Sequence, residues 1–335
     1  LGSGRKRDDS LAIHLHCAVS QYDSRRELEI TISNLVPPRG LYVREASQDW
    51  RQIQSVSAGR YRSRFPSGRV EIAIMPPYPH ARLVRWMQGL HPAQHVVLGT
   101  TPDGNRLSAI LVKPADAGRE TPLVMLLARQ HAFEQAASWV TEGMLDFFLS
   151  NEPEARHFRS RTVLAVVPMV DVDGVRAGAT GKHTGSKDWN RSWQVADLPR
   201  PEQRMIRNWL DGLAQQYRPV ACIDVHAMGF QMASPRFGLF LFDNTAGDPV
   251  RSSRLRELGA RFMAYAGYPL GIMPLPGWKR LQGMFSTRMQ QRWDGIIESY
   301  TVECTPWRRP DGLEWTVSRI KDAGSKIAKA FCGGY

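Results

Sequence analysis

The 335-residue sequence predicts an α/β fold: a mixed central sheet with helices on both faces, preceded by a small antiparallel β-sandwich. Three observations carry this. Between Leu11 and Pro76 apolar and polar residues alternate, with no helical periodicity of useful length, the pattern of half-buried strands. Pro76, Pro77 and Pro79 then break the chain. From about Val96, apolar runs that do not alternate recur between amphipathic stretches. Such runs are strands covered on both faces, and the stretches between them are the helices that cover them.

Taken in order, residues 1–10 read as a flexible tail of mixed charge, residues 11–90 as the N-terminal β-sandwich domain, and residues 91–335 as a second domain. In the first domain, LAIHLHCAV and LEITISNL alternate, and Pro66-Ser67-Gly68 turns one extended piece into the next. Ala81–Leu90 reads as a short amphipathic helix bridging the two domains. Val96–Val112 is a hairpin with its turn at Pro102–Asn105. Thr121–Arg129 is a buried strand, Phe133–Leu149 a helix and Thr162–Val170 a second buried strand. Glu202–Tyr217 is a helix, Pro219–Ala227 and Phe237–Phe242 are strands, and Arg251–Gly267 is a helix. Glu298–Thr305 is a late strand and Val317–Phe331 the last helix.

Composition narrows the function classes. A hydrophobic fraction of 42% and a charged fraction of 23% fit a folded globular chain, and no run approaches the roughly 18 apolar residues of a membrane helix. The net charge of +12 favours acidic partners or reflects an Arg-rich surface; no long Lys/Arg block marks a specific nucleic-acid site. Four scattered cysteines without a C-x-x-C pair read as free thiols, not a disulfide scaffold. The sequence opens on Leu1, and LGSGRKRDD lacks an apolar core, so the expectation is that an upstream piece is missing or a targeting segment was already removed. A cytoplasmic location is expected, with a periplasmic or secreted one left open.

The chemistry concentrates at strand ends. Pro122–Leu127 runs into Arg129-Gln130-His131, and Glu134 follows three residues later. His131 and Glu134 lie where a strand gives way to a helix, the edge at which open α/β sheets place ligands. A second buried strand delivers His226, and two His with one Glu form a known catalytic zinc set. Asp171–Trp193 is a long Gly-rich polar stretch, functional or disordered at that length. Asn190 and Arg191 near its end offer an amide and a guanidinium fork for a carboxylate. Glu303 is a carboxylate amid β-forming residues, which a general base would explain, with Glu298 as the fallback. Asp224, two residues before His226, fits either a structural pair or the support of a ligand imidazole.

The order of these motifs resembles the zinc carboxypeptidases, and more narrowly a bacterial type of their cytosolic carboxypeptidase branch. The motifs are H-x-x-E at a strand end, D-G-V followed by D-x-N-R-x-W, D-x-H at a strand end, and Y-T-x-E. Ile72–Leu83 (IAIMPPYPHARL) and Gly283–Glu303 add to the likeness, which covers roughly residues 11–330. The resemblance implies a zinc ion, Zn²⁺, on His131, Glu134 and His226, a substrate carboxylate gripped by Asn190 and Arg191, and Glu303 as general base. It makes residues 91–335 the catalytic domain. The branch's usual oxyanion Arg falls here on Gly181, which leaves Lys182 to supply the charge, and its Asn-Pro-Asp-Gly is Asp171–Gly174. Arg288 matches the Arg of the branch's G-T-x-R segment and suits an acidic terminal side chain. The expected activity is zinc-dependent hydrolysis of the C-terminal peptide bond of peptides or proteins, with acidic, Glu-ended tails favoured. The expected partner is therefore a peptide or protein C-terminus. Two alternatives stay open: a zinc amidase acting on cell-wall peptides or N-acyl amino acids, and a non-catalytic basic protein binding acidic polymers through Trp307-Arg308-Arg309 and Trp278-Lys279-Arg280.

Overall fold

The computed structural model describes residues 16–32, 40–46, 48–57, 59–181, 188–228, 238–243, 248–274, 283–293, 298–305 and 311–334. The N-terminal tail, Lys182, Trp278–Arg280 and residues 306–310 lie outside these. Strands β1 (His16–Ser20), β2 (Glu27–Thr31), β3 (Gly40–Arg44), β4 (Arg51–Ser57), β5 (Arg60–Arg64) and β6 (Arg69–Ala73) pair antiparallel in the order β1-β6-β3-β4-β5-β2. The expected sandwich is therefore one continuous curled sheet. Its corner is β4, which pairs through Arg51–Gln54 with β3 and through Ser55 and Ser57, across a register shift, with β5. A strand that changes partners at a bulge is how one sheet folds over on itself.

Helix α1 (His80–Gln88) leads into an eight-stranded mixed sheet. Its strands are β7 (Gln94–Thr100), β8 (Arg106–Val112), β9 (Pro122–Ala128), β10 (Val163–Val167), β11 (Arg218–Ala227), β12 (Leu239–Asp243), β13 (Gly271–Pro274) and β14 (Glu298–Cys304), in the order β13-β12-β14-β11-β9-β10-β8-β7. The central four, β14-β11-β9-β10, run parallel. Three of them, β9, β10 and β11, are also the non-alternating apolar runs of the sequence, because helices cover both of their faces.

Side-chain alternation shows which helices lie on which face. Ile223 packs with Met144 of α2 (Gln135–Phe148), Leu258 of α6 (Pro249–Ala266) and Ile327 of α8 (Val317–Cys332). Its neighbour Cys222 points the other way and donates to Ser286 O of α7 (Phe285–Arg292). Helix α5 (Pro201–Gln216) packs on β7, β9 and β11. Asp224 and His226 share the parity of Cys222, so both project to the α7 face at the C-terminal end of β11. Two short helices complete the chain in sequence, α3 (Pro153–Arg159) and α4 (Val172–Ala177). Helix α4 sits inside the stretch read as a long loop. No helix among the described residues is long and apolar enough to cross a membrane.

Candidate metal centre

Strand β9 ends in a forced turn. Arg129 is buried and has φ of 60°, a left-handed conformation that a bulky side chain holds only when its surroundings fix it. Its guanidinium donates twice to Ala132 O, at 2.9 and 2.6 Å, and once to Ser138 Oγ at 2.8 Å. This clamp draws residues 129–132 into the loop that carries His131. Burial pushes the Arg129 pKa down to about 10, against the pull of Glu134, Asp171 and Tyr78, so the clamp keeps its charge near neutral pH.

The structure brings His131, Glu134 and His226 together. All three are buried, and one ligand atom from each lies within 4.8 Å of the others. Glu134 Oε1 is 2.7 Å from His131 Nδ1, and Oε2 is 2.7 Å from His226 Nδ1. Each imidazole is held from behind by a carboxylate. His131 Nε2 lies 3.0 Å from Asp188 Oδ1, and His226 Nε2 lies 3.0 Å from Asp224 Oδ2. A proton kept on Nε2 by these acids leaves the Nδ1 lone pairs facing the centre. Burial disfavours charge on Glu134, yet the two imidazoles outweigh it and hold its carboxyl well below the usual carboxylate range. Burial likewise opposes a charged His226, and Asp224 and Glu134 override it to push its pKa up. The cluster thus favours positive charge between its acids. Two imidazole nitrogens and one carboxylate at this spacing fit a zinc ion.

The supporting shell is larger than the sequence revealed. Asp224 accepts from Gln130 Nε2 at 2.8 and 2.9 Å and from Asn190 Nδ2 at 3.0 Å. Gln130 Oε1 in turn accepts the indole N–H of Trp193 at 2.8 Å. Asp188 opens the 3₁₀ turn Trp189–Arg191 and accepts Asn190 N at 2.8 Å. Sequence reading gave no role to Asp188, Gln130 or Trp193. For Asp188 the available signal was its place in D-x-N-R, two residues from a proposed ligand-binding amide.

The remaining candidates are more dispersed. Asn190 is engaged within the protein: its Nδ2 also lies 2.9 Å from His226 Nε2, and its Oδ1 accepts Phe285 N at 2.8 Å. Arg191 is half-buried, with Nη1 donating to Asn190 O at 2.7 Å. Glu303 is His226's partner in the parallel β11–β14 register, so the two side chains project from adjacent strands on one face. Glu298, the fallback base, starts the same strand, about 16 Å back by strand rise, and is too far away to serve. Arg288 lines a cleft of about 330 Å³ with Trp193, Arg207 and Asp211; none of the three metal candidates borders it. Lys182 falls outside the described residues, but its neighbour Gly181 is informative. Gly181 has φ of 68°, and a Cβ there would meet Asp171 Oδ2 at 2.4 Å and Ala132 N at 2.6 Å. No side chain fits where the branch carries its Arg.

Fold and site together give an α/β architecture with one buried His-Glu-His cluster, among the described residues, that could hold a metal ion. Residues 83–219 match the family model described as zinc carboxypeptidase. Human cytosolic carboxypeptidase 1 is 32% identical over 235 residues, 64% of this chain and 18% of that protein. The mouse protein of the same name is 26% identical over 233 residues, 64% and 19% respectively. The chain therefore spans about a fifth of the length of these curated relatives. In fold it is similar to a metallo-carboxypeptidase from Pseudomonas aeruginosa, with a TM-score of 0.80 at 18% identity over 96% of this chain and 88% of that one. A metallo-carboxypeptidase from Burkholderia cenocepacia superposes with a TM-score of 0.74 at 18% identity, over 88% of this chain and 79% of that one.

Proposed function

We propose that the chain is a zinc-dependent metallocarboxypeptidase that hydrolyses the C-terminal peptide bond of peptides or proteins. The observation that carries this is the Glu134 carboxylate set between two imidazoles, each backed by its own acid, with Glu303 in register beside His226. Zinc held by His131, Glu134 and His226 would supply the Lewis acidity that polarises a scissile carbonyl and acidifies water. Glu303 takes the proton of the attacking water and passes it to the leaving amine. Arg191 pairs with the substrate's terminal carboxylate, which admits only the last peptide bond. Asn190 steadies Arg191 through its carbonyl and reaches the His226–Asp224 pair through its amide. Lys182 is the proposed cation for the oxyanion.

Two variants test the reading. His226→Ala should lose stoichiometric zinc, and full zinc by metal analysis would remove the assignment. Glu303→Gln should fold and keep zinc while kcat on a C-terminal peptide falls about 10²- to 10⁴-fold, the scale of general-base catalysis. Near wild-type turnover would reassign the base.

The finer proposal is that acidic C-terminal tails are favoured. It rests on the net charge of +12, which raises the local concentration of acidic chains in a salt-sensitive way. Peptides ending in Glu, Lys and Leu, compared by kcat/KM at low and high salt, decide it. Equal rates on Glu and Leu at low salt would end the proposal.

A further inference from the structure

Asp224 and Gln130 are both fully buried, and every polar atom of the two side chains is engaged. Asp224 Oδ2 lies 3.0 Å from His226 Nε2 and accepts from Asn190 Nδ2 at 3.0 Å and from Gln130 Nε2 at 2.9 Å. Its other oxygen, Oδ1, accepts from Gln130 Nε2 at 2.8 Å and from no other donor among the described residues. Four contacts thus fill the roughly four lone-pair positions of a carboxylate. At its far end the Gln130 amide accepts the Trp193 indole N–H at 2.8 Å. These neighbours fix which way the amide points, because an indole N–H only donates and a carboxylate only accepts. Turned over, the amide would set oxygen against oxygen at Asp224 and N–H against N–H at Trp193.

We propose that Gln130 is a positioning residue of the metal centre: locked by Trp193, it holds the Asp224 carboxylate in the orientation that presents Oδ2 to His226. The inference rests on the metal-centre reading of His131, Glu134 and His226. A carboxylate turns about its Cβ–Cγ bond, so the donor on the oxygen that His226 does not use sets its angle. Without Gln130, Oδ1 is a buried acceptor with no donor, and turning it toward a new partner draws Oδ2 off the imidazole. His226 then loses the acceptor that keeps its proton on Nε2 and its Nδ1 lone pair toward Glu134. Few side chains could replace this one. Leu and Met offer neither group, Glu puts an acceptor against Asp224, and Asn is a methylene short. The lock is anchored away from β9 and β11. Trp193 N donates to Gly283 O at 3.0 Å, and the indole meets the ring of Phe285, the first residue of α7, edge-on with centroids 5.1 Å apart. Chain position adds a second tie, since Gln130 stands between the Arg129 clamp and His131. One residue therefore bears on both imidazoles, on His131 through the backbone and on His226 through Asp224.

The test is zinc affinity, measured by competition with a chromophoric chelator, together with the visible absorption of the cobalt-substituted protein. Gln130→Met keeps the length of the side chain and removes both polar groups. It should weaken zinc binding about 10- to 100-fold, the scale for groups behind a metal ligand, and change the cobalt d–d bands. Trp193→Phe should weaken zinc by about 10-fold or less, because Gln130 is still present and only its lock is gone. Added to Gln130→Met, Trp193→Phe should cause no further loss, since the lock then has nothing to hold. If Gln130→Met does not fold, Trp193→Phe carries the test through the same two measurements. Wild-type affinity and cobalt spectrum in either folded single variant overturn the proposal. Losses that add in full do so too, by making the two residues separate structural supports. His226→Ala is the control for the underlying reading: if it keeps zinc, or the wild type takes up none, the metal assignment falls and this proposal with it. Tight zinc that His226→Ala loses and Gln130→Met leaves unchanged overturns this proposal alone.

Discussion

Asp171 shows how one residue sets a pH dependence. The related branch has Asn at this position of its Asn-Pro-Asp-Gly motif. Here a fully buried carboxyl stands in for it, accepting Gly174 N at 3.0 Å at the start of α4. Burial pushes its pKa from 3.8 up to about 6, only partly offset by the Gly174 bond and nearby cations. Between those two values the folded chain binds more protons than the unfolded one, so this residue lowers stability as pH rises from about 4 to about 6. The shift amounts to ~3 kcal/mol. Asp171→Asn keeps an acceptor for Gly174 N and removes the titration. Urea denaturation of the two metal-free proteins should therefore give near-equal stabilities below pH 4, a gap that widens through pH 6, and a plateau above it with the Asn variant more stable. Parallel curves would show that Asp171 does not titrate in this window. Residues of this kind were legible in type but not in state: the sequence marks Asp171 as a departure, and only burial makes it a weak acid. The same holds for His131, Glu134 and His226, whose types and spacing were readable while the acids behind them were not. Asp188 and Gln130 act through contacts across 57 and 94 residues of chain, which no local pattern encodes.

At the scale of elements, legibility followed covering. Strands β9, β10, β11 and β14 are buried along nearly their whole length; the apolar runs of the first three stood out, and with them the strand end that carries His226, whereas β14 was marked by its β-forming residues around Glu303. Helices α3 and α4, of seven and six residues, are too short for a periodic signal, and β13 has four residues. Helix α2 was found, but not why its faces are so closed. It crosses α8 at a point where both backbones lack a side chain. A Cβ on Gly143 would lie 1.9 Å from Lys321 O, and one on Gly324 2.1 Å from Val140 O. Two glycines bring the helices into backbone contact, and α8 completes the cover over α2. Since the clash is with carbonyl backbone, no rotamer change relieves it. Gly324→Ala should destabilise the fold by about 1–3 kcal/mol despite its better helix propensity. A thermal melt checks this: a Tm equal to or above wild type would mean that the helices can part at no cost.

Across the whole molecule, the proposed boundary near residue 90 divides the chain in sequence more sharply than in space. One continuous apolar core runs from Leu41 on β3 to Cys332 on α8. The segment between the two sheets is tied to the second part of the chain at several points. Tyr78 N donates to Gln135 Oε1 at 2.7 Å, and Pro76 O accepts the Trp139 indole N–H at 3.0 Å. Arg82 Nη2 donates to Glu142 Oε1 at 2.7 Å and stacks 4.2 Å over Trp139. Glu142 is buried at 1% exposure and is held also by Lys321 Nζ at 2.8 Å. All of these reach α2, the helix that Glu134 precedes, and Tyr78 O also receives the Arg129 clamp at 3.4 Å. Cutting at residue 90 would expose Trp139, leave the buried Glu142 with one cation in place of two, and remove an acceptor from the guanidinium that shapes the His131 turn. Losing one partner of a buried ion pair alone costs about 3–5 kcal/mol. Residues 91–335 expressed alone should thus have a much lower Tm and bind zinc weakly or aggregate, whereas residues 76–335, which keep Pro76, Tyr78 and Arg82, should recover part of both. The comparison of Tm and zinc content among the three lengths decides the matter. If 91–335 melts with the full chain and holds one zinc, the first ninety residues are an appendage; if 76–335 behaves no better than 91–335, the curled sheet supports the metal centre and not the segment that follows it.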